Sequence, residues 1–522
     1  MMTSIDQLLS NSSRLSPNSD AVCIRDEVIS YSDLDIEVSR VAALLGGLSQ
    51  AKGGRVAVYL EKRFEAVISL LGISRSGKVF VPINPVLKGA QVRHILNDCE
   101  VEILITSVAR LKAISSEIED ITSLQKIILI DDKKGLYIGD VGYISFYEEP
   151  TVKVSSVSII DRDNAAILYT SGSTGKPKGV VLSHRNIIAG AQSVAEYLNN
   201  SSEDRLLAVL PFSFDYGLSQ LTTMLLVGGT TVLINYLFPL DVIKAVEKFH
   251  ITGLAAVPPL WTQLADLQWP EGVSNHLRYI TNSGGAMPES VLKKLRASLP
   301  ETDPILMYGL TEAFRSTYLP FSELDKRPTS IGKAIPNAEV MVLRQDGSEC
   351  DIDEPGELVH RGALVAKGYW NDTDKTAERF RLLNYEKDNC CDNETVVWSG
   401  DIVKKDEDGF LYFIGRNDEM IKTSGYRVSP AEIEDYIFSI EGVDECVSIG
   451  VPHNRLGQAI ILLIKASDEK ITEKFIIKEC RRVLPLFMVP AVVEIKDVLP
   501  RNANGKIDRS SITKQYREYF SE

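Results

Sequence analysis

"YTSGSTGKPKG", residues 169–179, places three glycines, two lysines and four Ser/Thr hydroxyls in eleven positions. Such a stretch is too polar and too freely jointed for a core. It follows the apolar, strand-like "AAILY" (165–169) and precedes "HRNIIAGAQSVAEYL" (184–198), whose spacing predicts a helix. A loop between strand and helix aims backbone N–H groups and a helix N-terminus at an anion. Thr170, Ser171, Ser173 and Thr174 add donors, Gly172 and Gly175 permit close approach, and Lys176 and Lys178 add charge. A solvated surface loop is the alternative. The stretch is not a Walker A loop: that motif needs Ser or Thr after the lysine to reach Mg²⁺, and Lys176 is followed by Pro177.

Outward from this stretch, short β-branched runs alternate with helical patterns. "RVAVYL" (55–60), "VFVPI" (79–83), "EILIT" (102–106), "KIILI" (126–130), "RLLAVL" (205–210), "TTVLI" (230–234), "GLAAV" (253–257) and "LRYIT" (277–281) read as buried strands. "RFEAVISLLGISRSG" (63–77) reads as a helix ending near Gly77. The alternation predicts parallel strands joined by βαβ crossovers. From about Ala338 the pattern changes to apolar/polar alternation with Asp-Gly turns, which predicts antiparallel structure. After Arg416 comes a smaller α/β unit, opened by "SPAEIEDYIFSI" (429–440) with Ser429 at the N-cap and Pro430 in the first turn.

The 522 residues exceed one typical core and imply two or more domains. With 44% hydrophobic and 25% charged residues, the composition excludes a disordered or fibrous chain. A net charge of -14 argues against nucleic acid as the main partner but leaves room for a small anion at a local positive site. The 7 cysteines show no C-x-x-C spacing, so reduced thiols and a cytoplasmic location are expected. No basic-then-apolar leader and no run of about 18 apolar residues is present, so neither a signal peptide nor a membrane span is expected.

Six segments, in order, resemble the adenylate-forming superfamily: acyl-CoA synthetases, nonribosomal peptide synthetase adenylation domains and luciferase. They are "LYTSGSTGKPKGVVLSH" (168–184), "NSGGAMP" (282–288), "YGLTE" (308–312), "WSGD" (398–401), "GRNDEMIKTSGYRVSPAEIE" (415–434) and "NGKIDR" (504–509). The resemblance implies an α/β fold: a large N-terminal domain of parallel βαβ-type sheets plus a distorted β-barrel (1–417), and a small mobile α+β lid (418–522) hinged at Asp418. It implies two half-reactions. A carboxylate attacks the α-phosphate of ATP and releases pyrophosphate; a thiol then takes the acyl group and releases AMP.

Residue by residue, the resemblance implies that the 169–179 loop holds the β- and γ-phosphates. Gly284, Gly285, Ala286, Tyr308 and Gly309 line the nucleotide, with Tyr308 stacked on adenine. Thr311 donates to the α-phosphate, and Glu312 binds Mg²⁺, a hard cation that takes oxygen ligands. Asp401 accepts the ribose hydroxyls, an acceptor-only task suited to a carboxylate. Arg416 supports ribose and phosphate, and Lys422 joins the nucleotide site. Lys506 bridges carboxylate and α-phosphate during adenylation. Gly425 lines a pantetheine tunnel, with Arg427 beside it.

Phe214, Asp215 and Arg315 are the expected acyl-pocket residues. An Asp in an apolar pocket is costly unpaired, so Asp215 calls for a cationic partner such as an α-ammonium. A helix N-cap explains it equally well. Phe314 is expected to line or close the pocket, and Arg315 to do so or to meet an acidic substituent. The best-fitting substrate is a small amino acid passed to the pantetheine of a separate carrier protein. The alternatives are a fatty or aromatic acid passed to CoA, a luciferase-like oxygenase, or an inactive nucleotide-binding homologue.

Overall fold

The computed structural model describes residues 2–49, 51–131, 141–151, 157–170, 177–285, 287, 289–383, 394–416, 421–428, 430–468, 470–500, 507 and 509–520. Three sheets organise these residues. The first has seven strands. The parallel strands Arg55–Tyr59, Val79–Pro82, Ile103–Thr106, Lys126–Leu129, Gly142–Ser145 and Asn164–Thr170 are closed at one edge by the antiparallel Lys178–Ser183. Several of its strands are buried along their whole length, as the β-branched runs require.

The second sheet has fourteen strands. Its parallel centre runs through Arg205–Ala208, Thr230–Leu233, Gly253–Ala256, Tyr279–Asn282 and Asp303–Tyr308. From Thr317–Leu319 onward the pairing is antiparallel, through Ser330–Ala334, Ala338–Leu343, Gly356–Gly362, Glu394–Lys405 and Leu411–Arg416. The change to antiparallel pairing thus comes at Thr317, earlier than the expected Ala338, and within one sheet. Among the described residues these strands follow an open path and no closed ring is traced. The third sheet has five strands, drawn from Ile421–Thr423, Tyr426–Val428, Val443–His453, Gly457–Ala466 and Val492–Ile495. Helices Pro430–Phe438 and Glu473–Val483 pack on it around Ile433, Ile476 and Ile460, a core separate from those of the larger sheets.

One local expectation is corrected. The glycine-rich stretch does not run from strand directly into helix. The β-branched "GVVLS" that follows it extends into strand Lys178–Ser183, which pairs antiparallel with Asn164–Thr170. The stretch therefore tips a hairpin. Helix His184–Tyr197 starts beyond it, with its first N–H groups satisfied by a Ser183/Asn186 capping box rather than turned to a ligand.

Candidate active site

A cavity of about 240 Å³ opens where the three sheets meet. The described ends of the glycine-rich stretch, Tyr169, Thr170, Pro177 and Lys178, lie on its wall. So do Gly284, Gly309, Thr311, Glu312, Phe214, Asp215, Arg315 and Gly425. Residues far apart in sequence thus converge on one space. Ser171, Gly172, Ser173, Thr174, Gly175, Lys176, Ala286, Asp418 and Lys506 lie outside the described residues, as do the side chains of Arg416 and Arg427.

Thr311 and Glu312 sit in a single 3₁₀ turn, Thr311–Ala313, directly after strand Asp303–Tyr308. The Tyr369 hydroxyl donates to Glu312 Oε1 at 2.7 Å and orients that carboxylate. Burial, then the Glu312 charge, holds the Tyr369 phenol above its ordinary pKa, so it stays a donor. Lys178 lies 5.5 Å from the Tyr369 ring centre. Burial, then repulsion from Lys375, lowers the Lys178 pKa. Lys375 and Arg379, on helix Thr373–Arg379, complete a basic wall. Tyr369, Lys375 and Arg379 were missed in the sequence. "YWNDTDKTAER" (369–379) reads as ordinary surface helix, and only the fold turns it toward the cavity.

Tyr308, Asp401 and His360 form a separate group. Tyr308 stacks over His360 at 6.4 Å, and its hydroxyl donates to Asp401 Oδ2 at 2.5 Å. Asp401 is 1% exposed, and its neighbours Trp398 and Ser399 are the residues that reach the cavity wall. Burial pushes the His360 pKa down to about 4, so the ring is neutral. Gly285 accepts from Asn282 Nδ2 at 2.9 Å, which fixes the turn carrying Gly284. Lys422 lies away from the cavity wall, 4.8 Å from the Phe413 ring centre.

Gly425 comes from the third sheet yet touches the second. Its φ is +80°, and a Cβ there would lie 2.7 Å from Val257 Cγ2. Both facts demand glycine. The next residue, Tyr426, meets Phe214 edge-on at 4.9 Å and stacks on Phe487 at 3.7 Å. Phe214, Val257 and Tyr426 also line a second cavity of about 350 Å³, which includes Lys62 and Arg110. Lys62 is buried, donates to the Val209 carbonyl at 2.6 Å, and has its pKa pushed by burial down to about 7.

Asp215 is the first residue of helix Asp215–Val227, with Phe214 at the N-cap. It therefore does not cap the helix. Its carboxylate has the cation that burial demands, but from the chain itself: Arg315 Nη1 lies 3.5 Å away. Arg315 is 3% exposed and stands 4.6 Å from the Tyr216 ring centre. Phe314, expected in the pocket, is instead core. It takes a left-handed conformation at φ +49° and packs against Gly190. That backbone costs roughly 1–2 kcal/mol. The buried ring offsets it, and the turn presents Arg315 to the cavity.

Comparison with known proteins accords with this geometry. Residues 9–370 match the family model of the AMP-binding enzymes, and residues 432–506 match the model of their C-terminal domain. The chain belongs to this family, the adenylate-forming enzymes. It is an ATP-dependent, AMP-forming ligase. Among its relatives, the long-chain-fatty-acid–CoA ligase of Escherichia coli O157:H7 is 29% identical across 94% of this chain and 91% of that one. Tyrocidine synthase 3 of Brevibacillus parabrevis is 27% identical across 98% of this chain but only 8% of its own length. Among solved structures, o-succinylbenzoate CoA synthetase of Bacillus subtilis, a double mutant bound with a product analogue, superimposes with a TM-score of 0.83. It covers 97% of this chain and 98% of that one at 24% identity. Among the described residues, no helix is long and apolar enough to cross a membrane.

Proposed function

We propose that the enzyme joins a small carboxylic acid to the thiol of CoA or of a carrier-protein pantetheine through an acyl-adenylate, in the cytoplasm. The observation that carries this reading is the shared cavity. Thr311, Glu312 and the basic wall of Lys178, Lys375 and Arg379 face the same space as Gly425. The basic wall suits the triphosphate of ATP, and Thr170 and Pro177, at the described ends of the glycine-rich stretch, lie on the same wall. Attack of a carboxylate on the α-phosphate brings two anions together, so alignment and neutralisation dominate the barrier. Thr311 donates to the α-phosphate. By the family motifs, Gly284, Gly285, Ala286, Gly309 and Tyr308 line the nucleotide and Asp401 and Arg416 hold the ribose; Lys422, away from the cavity wall here, would join them only on movement of the third sheet.

The donor set fits Mg²⁺: one carboxylate, Glu312, already oriented by Tyr369, in a cavity open to phosphate oxygens. Bound there, the ion would neutralise the charge developing on the phosphates. Residues 1–417 form the adenylation core and 418–522 the lid, hinged at Asp418. Lys506 acts in adenylation, and Gly425 and Arg427 flank the thiol's path.

The substrate we favour is an acid without an α-ammonium, the reading that goes with free CoA as acceptor. Asp215 already faces Arg315, so the argument that it awaits a substrate ammonium loses its force. Pyrophosphate exchange with a panel of acids, followed by thioester formation with CoA or a pantetheinylated carrier, tests the reading. Exchange that depends on Mg²⁺ and on one class of acid is expected. Its absence with every acid overturns the reading.

A further inference from the structure

Beyond Arg315 lies a second, small chamber of about 20 Å³; Arg315 and Tyr216 line both it and the active-site cavity. The chamber lies between helix Asp215–Val227 and strands Gly253–Ala256 and Tyr279–Asn282, which supply part of its wall. Four buried polar atoms on its lining residues have no hydrogen-bond partner: Arg315 Nη2, Gln220 Oε1, Thr223 Oγ1 and Asn200 Oδ1. A single orphan is a local accident. Four around one space are expensive, because each buried unsatisfied group costs about 1–3 kcal/mol.

Their surroundings fix what they are. Gln220 Nε2 donates to the Ala255 carbonyl at 3.1 Å, so its oxygen is the unused end. Asn200 Nδ2 donates to Asp204 at 3.2 Å and to the Tyr279 hydroxyl at 2.9 Å, which leaves its oxygen. Arg315 Nη1 faces Asp215, and Nη2 remains. The chamber therefore offers one cationic donor, two amide acceptors and one hydroxyl that does either.

The complementary group must accept from a guanidinium and donate to an amide oxygen; a hydroxyl does both, its single proton serving one of the two oxygens. Hydrocarbon does neither. A carboxylate only accepts and would face two amide oxygens. An ammonium only donates and would face Arg315. A space of this size holds about one heavy atom with its hydrogens. We propose that the acid activated here carries a hydroxyl at the end of its acyl group remote from the carboxyl, and that this hydroxyl seats among Arg315, Gln220, Thr223 and Asn200. The inference rests on the proposed acid activation and adds the substrate class.

Matched acids test it. Pyrophosphate exchange is measured on the full chain with ω-hydroxy and unsubstituted acids of increasing length, and with para-hydroxylated and plain aromatic acids. The best substrate is expected to be hydroxylated and to exceed its deoxy partner by at least about 100-fold in kcat/KM, as in sites built to bind a substrate hydroxyl. Thr223→Val, close in shape, is expected to narrow that ratio about tenfold; Tm of the same variant reports folding. A best substrate matched within about threefold by its deoxy partner overturns the inference, because a trapped water then completes the chamber. Exchange with no acid at all overturns the activation reading and this inference with it.

Discussion

The two ends of the active-site cleft handle polarity in opposite ways. At the end proposed to hold the phosphates, Lys178, Lys375, Arg379 and Glu312 stand on a cavity wall; Lys178 and Glu312 lie against Tyr369, Lys375 pairs with Glu378, and Arg379 donates to the Trp398 carbonyl. Their charges stay partly hydrated, so an incoming polyanion recruits them at little cost. At the chamber end, Arg315, Gln220 and Thr223 are nearly fully buried, and part of their hydrogen-bonding capacity is unused. There, on the proposed reading, part of the cost is present before the substrate arrives and a hydroxyl relieves it. One end would then supply chemistry common to many acids, and the other choice among them.

The largest effect is expected at the phosphate end. Glu312→Gln keeps the acceptor for Tyr369 but removes the charge. It should lower acid-dependent pyrophosphate exchange by roughly 10²–10³-fold with Tm unchanged. An equal loss of preference between hydroxylated and plain acids would erase the distinction between the two ends. Gly425→Leu, midway between them, comes next. Its side chain must displace Val257 in a left-handed conformation. Thioester formation should fall at least about tenfold, while pyrophosphate exchange changes less than about threefold. Parallel loss in both assays would join what the comparison separates.

The smallest effect concerns Lys62, a buried cation handled differently from Arg315. Arg315 is paired, whereas Lys62 sits in an environment that favours its neutral form. Its folded value of about 7 lies below the ordinary 10.5. Above 10.5 the lysine is neutral folded or unfolded, and burial carries no charge penalty. As pH falls from there toward 7 the unfolded chain gains the proton first, so stability drops; below 7 the full penalty is present. Denaturant midpoints between pH 6 and about 10.5 should therefore climb more for the wild type than for Lys62→Met. Parallel profiles would show that Lys62 is hydrated.

Much of this was legible in the sequence, for physical reasons that differ by region. The strands around Arg55, Val79, Ile103 and Arg205 announced themselves because a strand covered on both faces must be apolar throughout. Thr311, Glu312 and Gly425 stood out through the resemblance of the motifs around them to those of the adenylate-forming family. The strand Lys178–Ser183 was misread. Its β-branched run was overshadowed by the glycines before it and the helix after it. The chamber was not legible at all. "YGLSQLTTMLL" (216–226) looks like any buried helix, and its Gln220 and Thr223 gain meaning only from Arg315, which arrives from another part of the chain. Asp215 shows the same limit from the other side: its need for a cation was readable, the identity of that cation was not.

The stack of Phe214, Tyr426 and Phe487 has a consequence for any motion of the third sheet. Withdrawing Gly425 from the cleft parts the Tyr426 ring from Phe214, while Phe487, packed in the same core as Tyr426, travels with it. Water must then wet apolar faces that had been dry, and such wetting raises heat capacity. The cycle of this enzyme would thus carry a thermal signature: a curved dependence of turnover on temperature, to which the parting of Tyr426 from Phe214 contributes.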